Sequence, residues 1–188
     1  MRISGGAARG VPLQVPKGDA VRPATDGMRQ AVFSSLAARL SGAHFADLFA
    51  GSGGYGLETF SRGAKSGVFV EKNTKAVACI RQNIVSVCKS TGRPIEALKL
   101  LSIDALTWSP ALGEEPDLIF IDPPYEIITE VGQGLLARLA EVLAVKVDPV
   151  IVFEMPGELT LEPPAGWTCV KRLGKGVRQP TVAFFRRT

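Results

Sequence analysis

The stretch Asp117-Leu118-Ile119-Phe120-Ile121-Asp122-Pro123-Pro124-Tyr125 joins an unbroken apolar run to an acidic, proline-stiffened end. Such a run suits a strand buried on both faces of a parallel sheet. Two prolines, with fixed φ and no N–H, can neither extend the sheet nor enter a helix interior. Asp122 and Tyr125 are therefore expected on a stiff ledge at the carboxyl end of a strand, where open α/β sheets bind ligands. The ledge suits an exocyclic base amine, a poor nucleophile because its lone pair is delocalised into the ring. The Asp122 side chain and the Pro123 carbonyl could accept its two hydrogens, Pro124 would keep the turn rigid, and Tyr125 could stack on the base. The plainer alternative is an Asp-Pro turn, with Asp122 as a cap and Tyr125 as rim packing.

Outward from this stretch, strand-like and helix-like segments alternate. Upstream lie strand-like 45–49 and 68–70, and a long helix capped by Asn73, with Ala76, Ile80, Ile84 and Val87 on one face and a stop near Gly92. Earlier still, Met28, Val32, Leu36 and Leu40 recur every four residues behind a Thr25 or Asp26 cap. A weaker strand is expected at 95–101, a helix at 129–143 and a buried strand at 150–153. Segments 169–173 and 181–185 read as a closing antiparallel pair. Residues 1–24, in which Val11, Leu13 and Val15 alternate at period two, read as an N-terminal hairpin or arm ahead of one domain, 25–188. The pattern predicts an α/β fold with a doubly wound, mostly parallel sheet.

Asp47-Leu-Phe49-Ala50-Gly51-Ser52-Gly53-Gly-Tyr-Gly56 follows the first core strand, and Glu71 comes 20 residues after Gly51. Glycines at this spacing let backbone approach a nucleotide-like ligand, and an acid ending the second strand accepts from ribose hydroxyls. Asp47 would repel a pyrophosphate and attract a sulfonium and an amino group. That favours S-adenosylmethionine over NAD, unless Asp47 instead bonds the loop backbone.

The chain's 46% apolar and 21% charged residues are those of an ordinary globular domain. Its start lacks the apolar stretch of a signal peptide, so a cytoplasmic location is expected, with no membrane contact. Cys79, Cys88 and Cys169 are not spaced for zinc and read as buried thiols. His44 is the sole histidine, which leaves no metal site in prospect. The net charge of +4 is concentrated at the ends: 1–30 is +3, 171–188 is +6, and the middle is negative. This asymmetry suggests a polyanion, with Arg9, Arg29, Lys175, Arg178, Arg186 and Arg187 as candidate ligands of RNA phosphates.

Nearly the whole chain resembles the RsmD family of small-subunit ribosomal RNA guanine-N2 methyltransferases. The likeness is carried by Gly5-Gly6 with Arg9-Gly10, Arg22-Pro-Ala-Thr25-Asp26-Gly-Met28-Arg29, the 47–53 turn, Gly56-Leu-Glu58, Ser61-Arg62-Gly63-Ala64, Glu71 and Asp122-Pro-Pro-Tyr125. It implies a seven-stranded sheet of the class I methyltransferase kind, S-adenosylmethionine as cofactor, and ribosomal RNA as partner, in the small subunit or an assembly intermediate; a monomer is the default expectation. It further implies that Asp47 and the turn Phe49-Ala50-Gly51-Ser52-Gly53 hold the methionine part. Glu71 with Lys72 would take the ribose and Asp104-Ala105 the adenine edge, while Arg22, Thr25 and Met28 would lie over the cofactor or target base. Gly27 stands where family members usually carry an arginine, and 174–180 matches only in character.

The expected reaction is in-line attack of a guanine N2 amine on the methyl carbon, driven by alignment. Three other readings compete: an N6-adenine DNA methyltransferase, for which little chain is left to recognise a target; an NAD-dependent oxidoreductase; and a non-catalytic RNA-binding assembly factor.

Overall fold

A computed structural model describes residues 1–16, 26–174, 176 and 179–187. Seven strands form one sheet in the order β3-β2-β1-β4-β5-β7-β6. β1 (His44–Leu48), β2 (Ser66–Val70), β3 (Leu98–Leu101), β4 (Leu118–Ile121) and β5 (Val150–Pro156) run parallel. β7 (Pro180–Arg187) runs antiparallel to both β5 and β6 (Trp167–Leu173). This is the doubly wound sheet with an antiparallel closing pair that the alternation of elements predicts. β4 has all four residues buried, because helices cover both faces there.

The sheet separates two cores. On one face Phe45, Phe69 and Phe120 meet α1 (Asp26–Ser35), α2 (Gly54–Ser61) and α3 (Thr74–Thr91) through Phe33, Phe60 and Ile84. On the other, Ile119, Ile121 and Phe153 meet α4 (Tyr125–Val142) through Ile128, Leu136 and Leu139. α3 forms as its sequence indicates: the Asn73 side chain accepts from the N–H groups of Lys75 and Ala76, and Gly92 ends the helix at φ 66°.

Several elements depart from expectation. α4 starts at Tyr125 instead of 129, with Pro124 in the cap position at φ −54° and ψ 138°. Helix starts leave N–H groups without intrahelical partners, so a residue lacking one costs nothing there. Gly132 sits within the helix because a Cβ there would already reach 3.4 Å from Leu161 Cδ2. α1 ends at Ser35 and continues as a 3₁₀ turn over Ala37–Arg39, and another 3₁₀ turn, Ile95–Ala97, precedes β3. Both closing strands are longer than expected, and Cys169 is exposed, not buried.

Residues 1–13 fold back as a hairpin, with Arg2 bridging Pro12 and Leu13 N–H donating to the Met1 carbonyl at 3.0 Å. Ile3, Ala8 and Leu13 belong to the same core as α1, α2 and α3. The arm lies along α2: Ser4 N–H and hydroxyl both donate to Glu58, at 2.7 and 2.8 Å, and Ala7 N–H donates to the Ser61 carbonyl at 2.8 Å.

Candidate active site

Register places the site. Leu48 pairs with Val70 on one side and Ile121 on the other, and Ile121 pairs with Phe153. The next residues, Glu71, Phe49, Asp122 and Glu154, therefore stand in a row at the carboxyl ends of β2, β1, β4 and β5. Strand order reverses between β1 and β4, which opens a crevice there. Phe45, Phe69, Phe120 and Val152 face the first core. Side chains alternate with period two, so Asp47, Glu71, Asp122 and Glu154 point to that same face.

The turn after β1 is shaped by three unusual backbones. Phe49 (φ 57°) is the sole non-glycine with positive φ among the described residues, beside Gly51 (φ 56°) and Gly53 (φ 79°). A bulky residue in the left-handed region costs about 1–3 kcal/mol, a strain typical of ligand sites. Gly56 serves packing: a Cβ there would lie 2.3 Å from the Phe69 ring and 2.6 Å from Phe45. α2 can approach the sheet closely for that reason.

The acids share few donors. Asp47, 2% exposed, accepts the Gly56 N–H at 2.8 Å. Its carboxyl therefore bonds backbone in the first turn of α2, just past the loop, and burial still drives its pKa up to about 8, with help from Glu71. Glu71 accepts from the N–H groups of Gly51 and Asn73, each at 2.8 Å. An ionised carboxylate offers about four acceptor positions. Capacity therefore remains for ribose hydroxyls. Glu154, 4% exposed, accepts the Tyr55 hydroxyl at 2.7 Å. The Tyr55 ring stacks on Phe120 at 5.3 Å and 8°. Burial, then the neighbouring Glu154 and Asp47, raises the Asp122 carboxyl well above the ordinary carboxylate range. Burial raises Glu154 as well, and burial with the same acids raises the Tyr55 hydroxyl. No lysine or arginine among the described residues pairs with Asp47, Asp122 or Glu154. A crevice with this donor set fits a cationic ligand and rejects a pyrophosphate.

The remaining predicted residues fall in different places. Ala50 is buried, its N–H donating to the Val70 carbonyl at 3.2 Å. The Ser52 carbonyl accepts from Asn83, which also bonds Gln14 of the arm. Lys72 pairs with Asp104 at 2.9 Å. The Leu106 N–H, then Lys72, holds the Asp104 carboxyl below its ordinary value. Ala105 is buried beside it. At the ledge, Pro123 is buried and Tyr125 exposed at the first turn of α4. Met28 packs beside the first core, and its Cε lies 3.0 Å from where a Gly174 Cβ would be. Arg22, Thr25, Lys175 and Arg178 lie outside the described residues.

Among the described residues, the predicted RNA-binding arginines Arg9, Arg29, Arg186 and Arg187 are not gathered at the ledge. Arg29 is 3% exposed and donates to the Arg2 carbonyl at 2.9 Å, tying arm to α1. Arg186 pairs in register with Val150, at the opposite end of the sheet, and binds Asp148. Arg187 donates there to the Ala144 and Lys146 carbonyls. Arg9 is exposed in the arm's turn, near the far end of α2. Tyr55, Asn83 and Glu154 were missed in the sequence. Glu154 was findable, since it ends the apolar run Val150-Ile-Val-Phe153 as Asp122 ends 118–121.

Comparison with known proteins agrees with this crevice. A family model described as Conserved hypothetical protein 95 matches residues 1–184. Ribosomal RNA small subunit methyltransferase D of Haemophilus influenzae is 28% identical over 177 residues, covering 94% of this chain and 90% of that protein. A solved structure of a hypothetical protein from Thermus thermophilus superposes with a TM-score of 0.75 at 31% identity, covering 98% of each chain. Magnesium protoporphyrin IX methyltransferase from Synechocystis, solved with bound S-adenosylmethionine, shares the fold at a TM-score of 0.64 and 16% identity, covering 86% of this chain and 80% of that one. Because the family match runs unbroken from the arm through the crevice to the closing strands, the chain belongs to the RsmD family of class I S-adenosylmethionine-dependent methyltransferases.

Proposed function

We propose that this chain methylates the exocyclic N2 amine of a guanine in small-subunit ribosomal RNA, with S-adenosylmethionine as donor. One observation carries the reading: the acid-lined glycine turn of β1 and the Asp122-Pro123 ledge of β4 are neighbours in a single register row. Bound there, the donor supplies an activated methyl group. The chain supplies alignment, which accounts for much of the acceleration of a displacement between two held reactants. Asp47 and Glu71 hold the donor's cationic and ribose parts. Asp122 and the Pro123 carbonyl accept the two amine hydrogens, turning the nitrogen lone pair toward the donor. Pro124 fixes the ledge and Tyr125, exposed beside it, stacks on the base.

Ribosomal RNA as substrate follows from the relatives' names, which point to the small subunit. An unpaired loop guanine is the cheaper target, because a paired one must first leave its stack. NAD is disfavoured by Asp47, buried with no described base beside it. The test is incubation with labelled S-adenosylmethionine and unmodified small-subunit particles or naked RNA, followed by digestion to nucleosides. N2-methylguanosine is the expected product; N6-methyladenosine would transfer the assignment to adenine, and no label would leave an RNA-binding factor.

A further inference from the structure

Glu154 and Tyr55 have no part in donor or base binding as derived above, yet they lie directly against the ledge. Glu154 extends the same register row as Asp122, on the neighbouring strand and the same sheet face. Tyr55, from the first turn of α2, donates to Glu154 Oε2 at 2.7 Å, leaving Oε1 without a donor among the described residues. The Tyr55 ring rests on Phe120, two residues before Asp122, and Phe33 of α1 tilts against both rings. Among the described residues, the charged and titratable groups that face the pair are Asp47 from β1 and Tyr55 from α2. The α1 base on this face, Arg29, is turned to the Arg2 carbonyl. Glu154 is buried and Asp122 half-buried, and they stand on adjacent strands with no cation between them among the described residues, so ionising both at once is costly.

We propose that Asp122 and Glu154 act as one proton-sharing pair, poised by Tyr55, which gives up its proton when the cationic donor binds and takes up the proton of the newly methylated amine. The inference rests on the methyltransferase reading given above. Charge balance requires a proton acceptor. The bond from N2 to the methyl carbon forms as the carbon–sulfur bond breaks, its electron pair staying on sulfur. One positive charge thereby moves from sulfur to nitrogen. The nitrogen loses a proton to Asp122, and Glu154 shares it while Tyr55 keeps its hydrogen bond. The site's total charge is unchanged until the products leave. Glu154 is then a positioning residue that acts through Asp122, and the pair distinguishes a sulfonium donor from a neutral thioether product by charge.

The sign follows from linkage. Carboxyls that hold protons in the free protein and release them to solvent when a cationic ligand binds make affinity rise with pH, levelling off above their free-state pKa. Release of one proton corresponds to about ten-fold tighter binding per pH unit. The experiment is titration calorimetry on the intact chain near pH 7, in buffers of different ionisation heat, with S-adenosylmethionine and with S-adenosylhomocysteine. Asp47 gives up its own proton when either ligand's amino group binds, so about one more proton is expected to leave with the sulfonium ligand than with the thioether. Glu154→Gln should still bind the donor while losing most of that difference, and Tyr55→Phe should shift the pH at which the difference appears. Equal proton counts for the two ligands on the wild-type chain would overturn the proposal without any variant. So would an undiminished difference between the two ligands in Glu154→Gln. Failure of the wild-type chain to bind either ligand would sink the methyltransferase reading too, and so is told apart from failure of the proton-sharing pair alone.

Discussion

Asp47 shows what a single buried acid costs and what it is kept for. It holds its proton up to about pH 8 in the free protein, because burial outweighs the Gly56 N–H it accepts. A carboxyl that binds its proton more tightly folded than unfolded makes the free protein lose stability as pH rises from the ordinary carboxylate range toward 8. Asp47→Asn removes that slope while keeping an oxygen for Gly56. Its melting temperature should exceed wild type by about 10 °C or more at pH 8, by only about a third as much near pH 5 and by little near pH 4, while donor binding is lost. Melting curves that run parallel across this range would show that the acid is not strained. At Asp122 the expected cost is kinetic: Asp122→Ala should lower the rate about 10²–10³-fold with donor affinity much less affected, as for loss of one preorganised partner. Single-turnover rates within a few-fold of wild type would remove Asp122 from the mechanism. Both acids were legible in the chain, because each ends or nearly ends an apolar strand. The strained φ of Phe49 was not, since nothing in a Phe-Ala-Gly sequence announces which residue will take the left-handed turn.

α2 and α3 hold the crevice in shape from behind. Gly56→Ala pushes a methyl to 2.3 Å from the Phe69 ring, so α2 must lift from the sheet. Overpacking of this kind costs about 1–3 kcal/mol, read as a lower urea midpoint at constant slope. Asn83 on α3 joins the arm at Gln14 to the turn at Ser52. Asn83→Ala should destabilise by about 1–3 kcal/mol and weaken donor binding without touching the donor, since three backbone groups lose their partner. Unchanged donor affinity would show that the turn holds itself. The caps of α3 were plain in Asn73 and Gly92, whose chemistry is local. The start of α4 and the partners of Asn83 were hidden for the opposite reason: the one depends on where Pro124 meets the sheet edge, the other on residues 31 and 69 positions away.

At the scale of the molecule, the pattern of alternating elements was enough for the doubly wound sheet, but charge counted along the chain did not show that Arg186 and Arg187 would stand away from the ledge. β7 runs against β5, which carries Arg186 and Arg187 to the end opposite the ledge, where Asp148 and backbone carbonyls already hold them. Replacing both by alanine should therefore leave the salt dependence of RNA binding within error of wild type and cost about 0–1 kcal/mol of stability per surface pair. A slope shallower by about two would restore them as phosphate ligands. No helix among the described residues is long and apolar enough to cross a membrane.

The strand order also bears on how the chain is made. β6 touches the sheet solely through β7, which follows it in sequence and inserts between it and β5. While a ribosome is still translating beyond residue 173, β6 has no strand partner, and the core that takes up Trp167 still lacks Ala183 and Phe185. Chains stalled in that interval are the ones a holdase chaperone should capture, and the ones whose release should lead to aggregates.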